Sequence, residues 1–263
     1  VNGRVTQEHA LAKVLVDDVS VRFDGTLALD HLSLAVGRSE FVSIVGPSGS
    51  GKSTLFNVVS GLQRPTSGRV LLDGRDVTGE TGHVGYMLQK DLLVPWRTVV
   101  DNIVLGAALT RGATRRDREE AAALATRYGL GEFLHHYPHA LSGGMRQRVA
   151  LMRTLALHTD VLLLDEPFGA LDSQTRLDMQ LWLLSVYEDL EVTILFVTHD
   201  VDEAILLADR VAVLSERPGR ILAELPIPLE RPRDLGVLTS AEFTELKREV
   251  LRLLHDRAPA VAP

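Results

Sequence analysis

The chain has 263 residues, 45% of them hydrophobic, which is enough for one large domain or two modest ones with a proper core. It has no cysteine, which excludes disulfide staples and thiolate metal sites and permits a reducing compartment. A formal net charge of -7, from 28 Lys and Arg against 35 Asp and Glu, argues against broad sequence-independent binding to nucleic acid, which needs clustered cations.

Val1 to Lys13 mixes Arg4, Glu8, His9 and Lys13 with small residues and lacks the apolar core of a secretory signal, so no export is expected. No apolar run approaches the roughly 20 residues of a membrane-spanning helix. Val14 to Phe23 is valine-rich and imperfectly alternating, Asp24-Gly25 is a turn signal, and Leu27 to Val36 resumes an extended pattern. These features predict an antiparallel hairpin. A buried strand, Glu40 to Val45, then runs into a glycine-rich loop, and Ser53 to Gly61 has helical spacing that ends at a capping glycine. Short strands are expected at Arg69 to Leu72 and Val84 to Leu88, with turns at Pro65 to Gly68 and Asp73-Gly74.

From about Lys90 to His158 the composition changes to alanine, leucine and arginine, with helical spacing in Thr98 to Leu109, Arg115 to Tyr128 and Met145 to Leu157. This reads as a helical insert. The cluster Arg115-Arg116-Asp117-Arg118 is answered at once by Glu119-Glu120 and reads as a solvated helix face. Strands return at Val161 to Leu164, Thr193 to Thr198 and Val211 to Leu214, with a helix at Gln174 to Leu190. Strands alternating with helices predict a mainly parallel sheet covered on both faces. After Ala223 the chain is punctuated by proline to Arg233, and Ala241 to Arg257 reads as an amphipathic helix.

Gly46-Pro47-Ser48-Gly49-Ser50-Gly51-Lys52-Ser53-Thr54 fits the phosphate loop G-x-x-x-x-G-K-S, with the required strand before it and helix after it. Glycines let backbone N–H groups close around a polyphosphate, the helix N-terminus adds partial positive charge, and Lys52 supplies a cation for the terminal phosphates. Ser53 offers a hydroxyl to magnesium. The strand Val161 to Leu164 ends in Asp165-Glu166, where a strand tip in an open sheet meets the ligand crevice. Asp165 is suited to hold the metal through its water shell, and Glu166 to polarise an attacking water. Ser142-Gly143-Gly144 opens another helix, which fits either a second anion site or an ordinary serine cap. His135, His136 and His139 cluster without nearby carboxylate or thiol ligands and read as a polar loop.

Together, from about Val14 to Leu225, these stretches resemble the nucleotide-binding subunit of an ATP-binding cassette (ABC) transporter, with Leu141 to Gln147 similar to the family's signature segment. The resemblance implies an α/β fold: a P-loop NTPase core with a mainly parallel sheet, an antiparallel β subdomain and a helical subdomain. A single ATPase domain over 1–235, with the insert at about 90–158, is expected to precede a helical extension over 236–263. ATP and Mg2+ are the implied cofactors.

A head-to-tail dimer is also implied, homomeric or with a paralogous cassette, in which Ser142, Gly143 and Gly144 of one copy face the γ-phosphate held by Lys52 of the other. Asp172, in Gly169-Ala170-Leu171-Asp172, matches the loop that passes across that dimer. Phe23 matches the residue that stacks on adenine, where tyrosine is commoner, and is equally readable as hairpin core. Gln89 matches the glutamine that reaches magnesium and water, and His199 the switch histidine that holds the water with Glu166.

One cassette without a membrane segment implies two separate permease subunits, an extracytoplasmic solute-binding protein acting indirectly, and a peripheral place on the cytoplasmic face of the inner membrane. Thr198-His199-Asp200-Val201-Asp202-Glu203-Ala204 looks importer-like. Val94 to Ile103 and Arg217-Pro218-Gly219-Arg220 are similar to cassettes of the nitrate, sulfonate and taurine importer group. Trp96 falls where the resemblance places a permease groove, and packing within the insert is its other reading. A cassette ATPase of nucleic-acid repair or translation is the alternative, but it lacks support: there is no coiled coil, second cassette or basic clamp. A P-loop GTPase would leave Leu141 to Gln147 unexplained.

Overall fold

The structure is a computed structural model that describes residues 12–255. In chain order the first elements are β1 (Val14–Phe23), β2 (Thr26–Val36), β3 (Phe41–Val45), α1 (Lys52–Val59), β4 (Ser67–Leu72), β5 (Arg75–Asp76) and β6 (Gly85–Met87). Helices α2 (Val99–Ile103), α3 (Leu105–Thr110), α4 (Arg115–Arg127) and α5 (Gly143–Leu155) follow. The chain continues through β7 (Val161–Asp165), α6 (Ser173–Glu188), β8 (Thr193–Val197), α7 (Val201–Leu207), β9 (Arg210–Leu214), β10 (Ile221–Pro226) and α8 (Ala241–His255).

β1 and β2 form the expected hairpin, from Val14 opposite Val36 to Phe23 opposite Thr26. Asp24 and Gly25 both take positive φ, +42° and +83°, the pair of left-handed residues that a two-residue hairpin turn requires. β4 and β5 extend this antiparallel sheet in the order β2-β1-β4-β5. The second sheet has the order β10-β9-β3-β8-β7-β6 and is parallel except for the antiparallel edge strand β10.

All five residues of β3, β7 and β8 are buried, as expected of central strands covered on both faces. Alternation then divides their side chains between two cores. Leu162, Leu164, Ile194 and Phe196 face the helices, whereas Leu163, Leu195 and Val197 face α1 and the antiparallel sheet. The register fixes the strand ends. Val197 of β8 pairs with Ile44 of β3 on one side and Asp165 of β7 on the other, so the loops that leave all three strands emerge together.

Several sequence expectations are corrected in detail. The apolar spacing of Thr98 to Leu109 reads as one helix, but the chain breaks at Val104 (φ -81°, ψ 9°) into α2 and α3. Thr98 caps α2, accepting from Asp101 N at 3.3 Å. The stretch after Arg220, expected to be irregular from Ala223, instead carries β10; its Pro226 is tolerated because the strand lies at the sheet edge and ends there. β5 and α7 were not expected, and β6 is shorter than Val84 to Leu88.

In the insert, Thr114 and Asp117 form a reciprocal capping box at the start of α4. α8 buries Phe243 and Val250 and is tied to α7 by an ion pair from Lys247 Nζ to Asp202 Oδ1 at 2.7 Å. The last two residues of the expected helix, Asp256 and Arg257, lie outside the described residues. No described helix is long and apolar enough to cross a membrane.

Candidate functional site

The loop after β3 closes on itself. Gly49 and Gly51 take φ of +79° and +97°, and a Cβ on Gly51 would stand 2.6 Å from Leu29 Cδ2, so only glycine fits there. Gly51 is the residue immediately before α1, which leaves the first N–H groups of that helix aimed into the loop. Lys52 is buried, and its Nζ donates to Gly46 O at 2.8 Å and Pro47 O at 2.9 Å. Carbonyls are weak substitutes for anionic oxygens, so the ammonium is poised for exchange onto a phosphate. Burial pushes its pKa below the usual lysine range, against the opposing pull of Glu166 and Asp165.

The carboxylates at the end of β7 are placed differently, as the sequence suggests. Asp165 is buried; burial raises its pKa above the usual carboxylate range, and the Ser53 hydroxyl bonded to it opposes the shift. Tyr86 of β6 also donates to Asp165 Oδ2, at 3.3 Å. Glu166 takes a left-handed φ of +43° while its N–H bonds Val197 O at 2.9 Å, which turns its side chain out of the sheet. Glu166 Oε2 accepts from Gln89 Nε2 at 3.2 Å and lies 3.2 Å from His199 Nδ1. An ionised carboxylate only accepts, so Nδ1 carries the proton in that contact.

A cleft of about 350 Å³ opens here, lined by Ser48, Gly49, Lys52, Ser53, Glu166 and His199 among others. Ser53 sets its hydroxyl on the Asp165 carboxylate, oxygen donors of the kind a hard cation such as Mg2+ takes, and Gln89 reaches the neighbouring Glu166. The structure thus brings together the phosphate loop, Asp165, Glu166, Gln89 and His199.

Six further predicted residues, Phe23, Ser142, Gly143, Gly144, Asp172 and Trp96, lie apart from this cleft. Phe23, 44% exposed, stands at the tip of the β1–β2 hairpin and does not line it. Ser142 caps α5, its Oγ accepting from Met145 N at 3.3 Å, and Gly144 is buried against Thr175 and Met179. Asp172 caps α6, its Oδ1 accepting from Thr175 N at 3.0 Å. None of Ser142, Gly143, Gly144 and Asp172 lines the cleft. Trp96 is 77% exposed on a loop held by buried Asn102, whose Nδ2 donates to the carbonyls of Val94, Arg97 and Thr98. Among the described residues no group of three or more His, Cys, Asp or Glu gathers to hold a metal; His136 leans on Phe133 and His139 stacks on Tyr137.

Sequence reasoning missed several supporting residues. Arg153 of α5 donates to Asp91 O and Leu92 O, and Arg146 Nε lies 3.2 Å from Asp91 Oδ2. The loop after Gln89 is therefore bolted to the helix that begins at Ser142. Tyr86 sits in an ordinary strand pattern, and nothing in that local pattern marks it as a partner of Asp165.

The sequence profile of the ABC transporter family matches residues 29–169. A taurine import ATP-binding protein of Rhizobium johnstonii is 42% identical over 251 residues, covering 91% of this chain and 95% of the relative. A nitrate import ATP-binding protein of a Synechocystis strain is 44% identical over 238 residues, covering 88% of this chain and 89% of the relative. Among solved structures, a dimeric cassette in a post-hydrolysis state, bound to ADP and phosphate, superposes with a TM-score of 0.70 at 31% identity. The match covers 82% of this chain and all of that one. The chain belongs to the ABC transporter family. It is an ATP-binding ATPase of that family with the P-loop NTPase fold.

Proposed function

We propose that the chain powers uptake of a small solute of the nitrate, sulfonate or taurine kind, as the nucleotide-binding subunit of an importer. Relatives with taurine and nitrate import names support the importer reading. The chain would act as one ATPase domain over 1–235, with 236–263 a helical extension; 1–11 and 256–263 of these ranges lie outside the described residues. It would pair head to tail with a second copy or a paralogous cassette, and dock on two permease subunits at the cytoplasmic face of the membrane. The permeases in turn would meet an extracytoplasmic solute-binding protein. Exposed Trp96, on a loop braced by Asn102, supports a permease contact there. Nucleic acid has no part in this reading.

The observation that carries the dimer is the division of the predicted site. Lys52, Glu166 and His199 line one cleft, while Ser142 to Gly144, a second glycine-rich helix start, lies off it. In this reading Lys52 holds the terminal phosphates, Phe23 stacks on adenine, and Ser53, Asp165 and Gln89 would hold Mg2+. The metal would offset charge building on the phosphate oxygens.

Gln89 and His199 both engage Glu166 Oε2, and Oε1 accepts no hydrogen bond among the described residues. Oε1 is therefore the atom to take the proton of the attacking water. Closure across Ser142, Gly144 and Asp172 of the second copy would complete the site, and reopening would release products.

The test is Glu166→Gln, examined by analytical ultracentrifugation with ATP. We expect hydrolysis to fall by about two to three orders of magnitude while ATP still binds and a dimer accumulates. Near-normal turnover removes Glu166 as the base, and a monomer at saturating ATP removes the closed dimer.

A further inference from the structure

The turn between β9 and β10 lies directly against the phosphate loop. Gly219 N–H donates to Ala28 O at 2.8 Å, and its carbonyl accepts from Asp30 N at 3.0 Å. A Cβ on Gly219 would stand 2.1 Å from the Ser50 carbonyl oxygen, so this backbone packs flush on the loop and tolerates no side chain. The turn is also closed internally. Ser215 N–H donates to Arg220 O at 2.9 Å, and Ser215 Oγ accepts from Arg220 N and donates to Pro218 O, both at 2.9 Å. Arg220 Nε is held by Asp30 Oδ2 at 2.8 Å. The backbone that carries Arg217 is thus fixed from both sides.

Arg217 is placed differently from Arg220. It lines the same cleft as Ser48, Gly49, Lys52, Glu166 and His199. Its Nη2 lies 3.9 Å from where a Cβ on Gly49 would be. Among the described residues its guanidinium makes no ion pair and no hydrogen bond, while Arg220 is engaged by Asp30. A rigidly rooted, unpaired guanidinium at the rim of a cleft built from loop amides and Lys52 suits a phosphate oxygen, which its planar fork can grip with two N–H groups.

We propose that Arg217 is a further nucleotide-binding residue, contacting from the β9–β10 turn the phosphate chain of the nucleotide held by Gly46 to Ser53 in the same copy. This rests on the reading of the cleft as the nucleotide site. Lys52 grips the chain from within and Arg217 from the solvent side, so Arg217 adds affinity without taking part in proton transfer. Being exposed, it should contribute less than Lys52 and more at low ionic strength.

The test is calorimetric titration of ATP into the full chain and into Arg217→Ala, Arg217→Lys and Lys52→Ala, at low and at raised salt. We expect Arg217→Ala to weaken ATP binding by about five- to tenfold at low salt, with the gap shrinking as salt rises and Arg217→Lys regaining part of it. Lys52→Ala should lose more. The nucleotide-free melting temperature of Arg217→Ala should match that of the parent, since the side chain packs on nothing that folding needs.

ATP affinity within twofold of the parent in Arg217→Ala, beside a clear loss in Lys52→Ala, overturns the proposal and leaves the cleft assignment standing. If that unchanged affinity comes with a lost ATP-dependent dimer, Arg217 serves a carboxylate of the second copy instead, which also overturns it. Unchanged affinity in both variants overturns the cleft assignment itself.

Discussion

The chain has two glycine-rich helix starts, and they are built to different plans. At Gly46 to Ser53 the loop winds through two left-handed glycines, shields the Lys52 ammonium and faces Glu166 and His199 across a cleft. At Ser142 to Gly144 the serine spends its hydroxyl on capping α5, and Gly144 packs against α6. One turn encloses a cleft within the chain; the other caps the start of α5 and packs Gly144 against α6. The difference teaches that a glycine-serine helix start is a phosphate site only when the surrounding fold brings chemistry to it, from this copy or from another.

Alanine at the two key glycines should separate these plans most sharply. Gly51→Ala forces a left-handed alanine and a clash with Leu29, at an expected cost of about 2–3 kcal/mol in urea unfolding. Gly144→Ala sits in a helix with its Cβ 3.1 Å from Thr175 Cγ2, where gained helix propensity offsets crowding to within about 1 kcal/mol. Equal costs would mean that the two turns are not distinct kinds of structure.

A smaller contrast lies behind the cleft, where α7 begins just after His199. Buried Glu203 there accepts from Gln180 Nε2 at 3.1 Å, and burial pushes its pKa up to about 7 from 4.5, against the hydrogen bonds from Thr198 and Gln180. The folded state therefore holds this proton after the unfolded chain has released it. Stability from this group is fully present below the unfolded value and is lost as pH rises through about 7. Glu203→Gln should match the parent near pH 4.5 and exceed it by about 3 kcal/mol near pH 8, read from urea midpoints at both values. A gap that does not change with pH would show that Glu203 does not titrate in this way.

Much of the architecture was legible because its signals are local. Valine-rich alternation with Asp24-Gly25 specifies the first hairpin, and the spacing of Gly46, Gly51, Lys52 and Ser53 marks the phosphate loop from sequence alone. Asp165 and Glu166 were legible as strand-end residues, since a parallel sheet gathers such ends on one edge, whereas His199 was legible only through the family resemblance.

What stayed hidden depends on distant packing. The break at Val104 interrupts an unbroken apolar pattern, and Pro226 disguised β10 as a loop. Tyr86 and Arg153 matter through hydrogen bonds to Asp165 and Asp91, which no short window contains. Arg217 was noticed only as part of a resemblance; what brings it to the cleft is the fit of Gly219 on Ser50, a contact across most of the chain length.

The central claim is that each copy supplies two halves of different sites. The most direct test mixes two disabled variants, Lys52→Ala with a broken phosphate loop and Ser142→Arg with a blocked signature turn, and measures ATP hydrolysis. In a two-fold head-to-tail dimer, a mixed pair has one doubly broken site and one intact site. Each variant alone should be inactive, while an equimolar mixture should recover about a quarter of parental activity as pairs form at random. Full activity of Ser142→Arg by itself, or a mixture no more active than its components, would contradict the account.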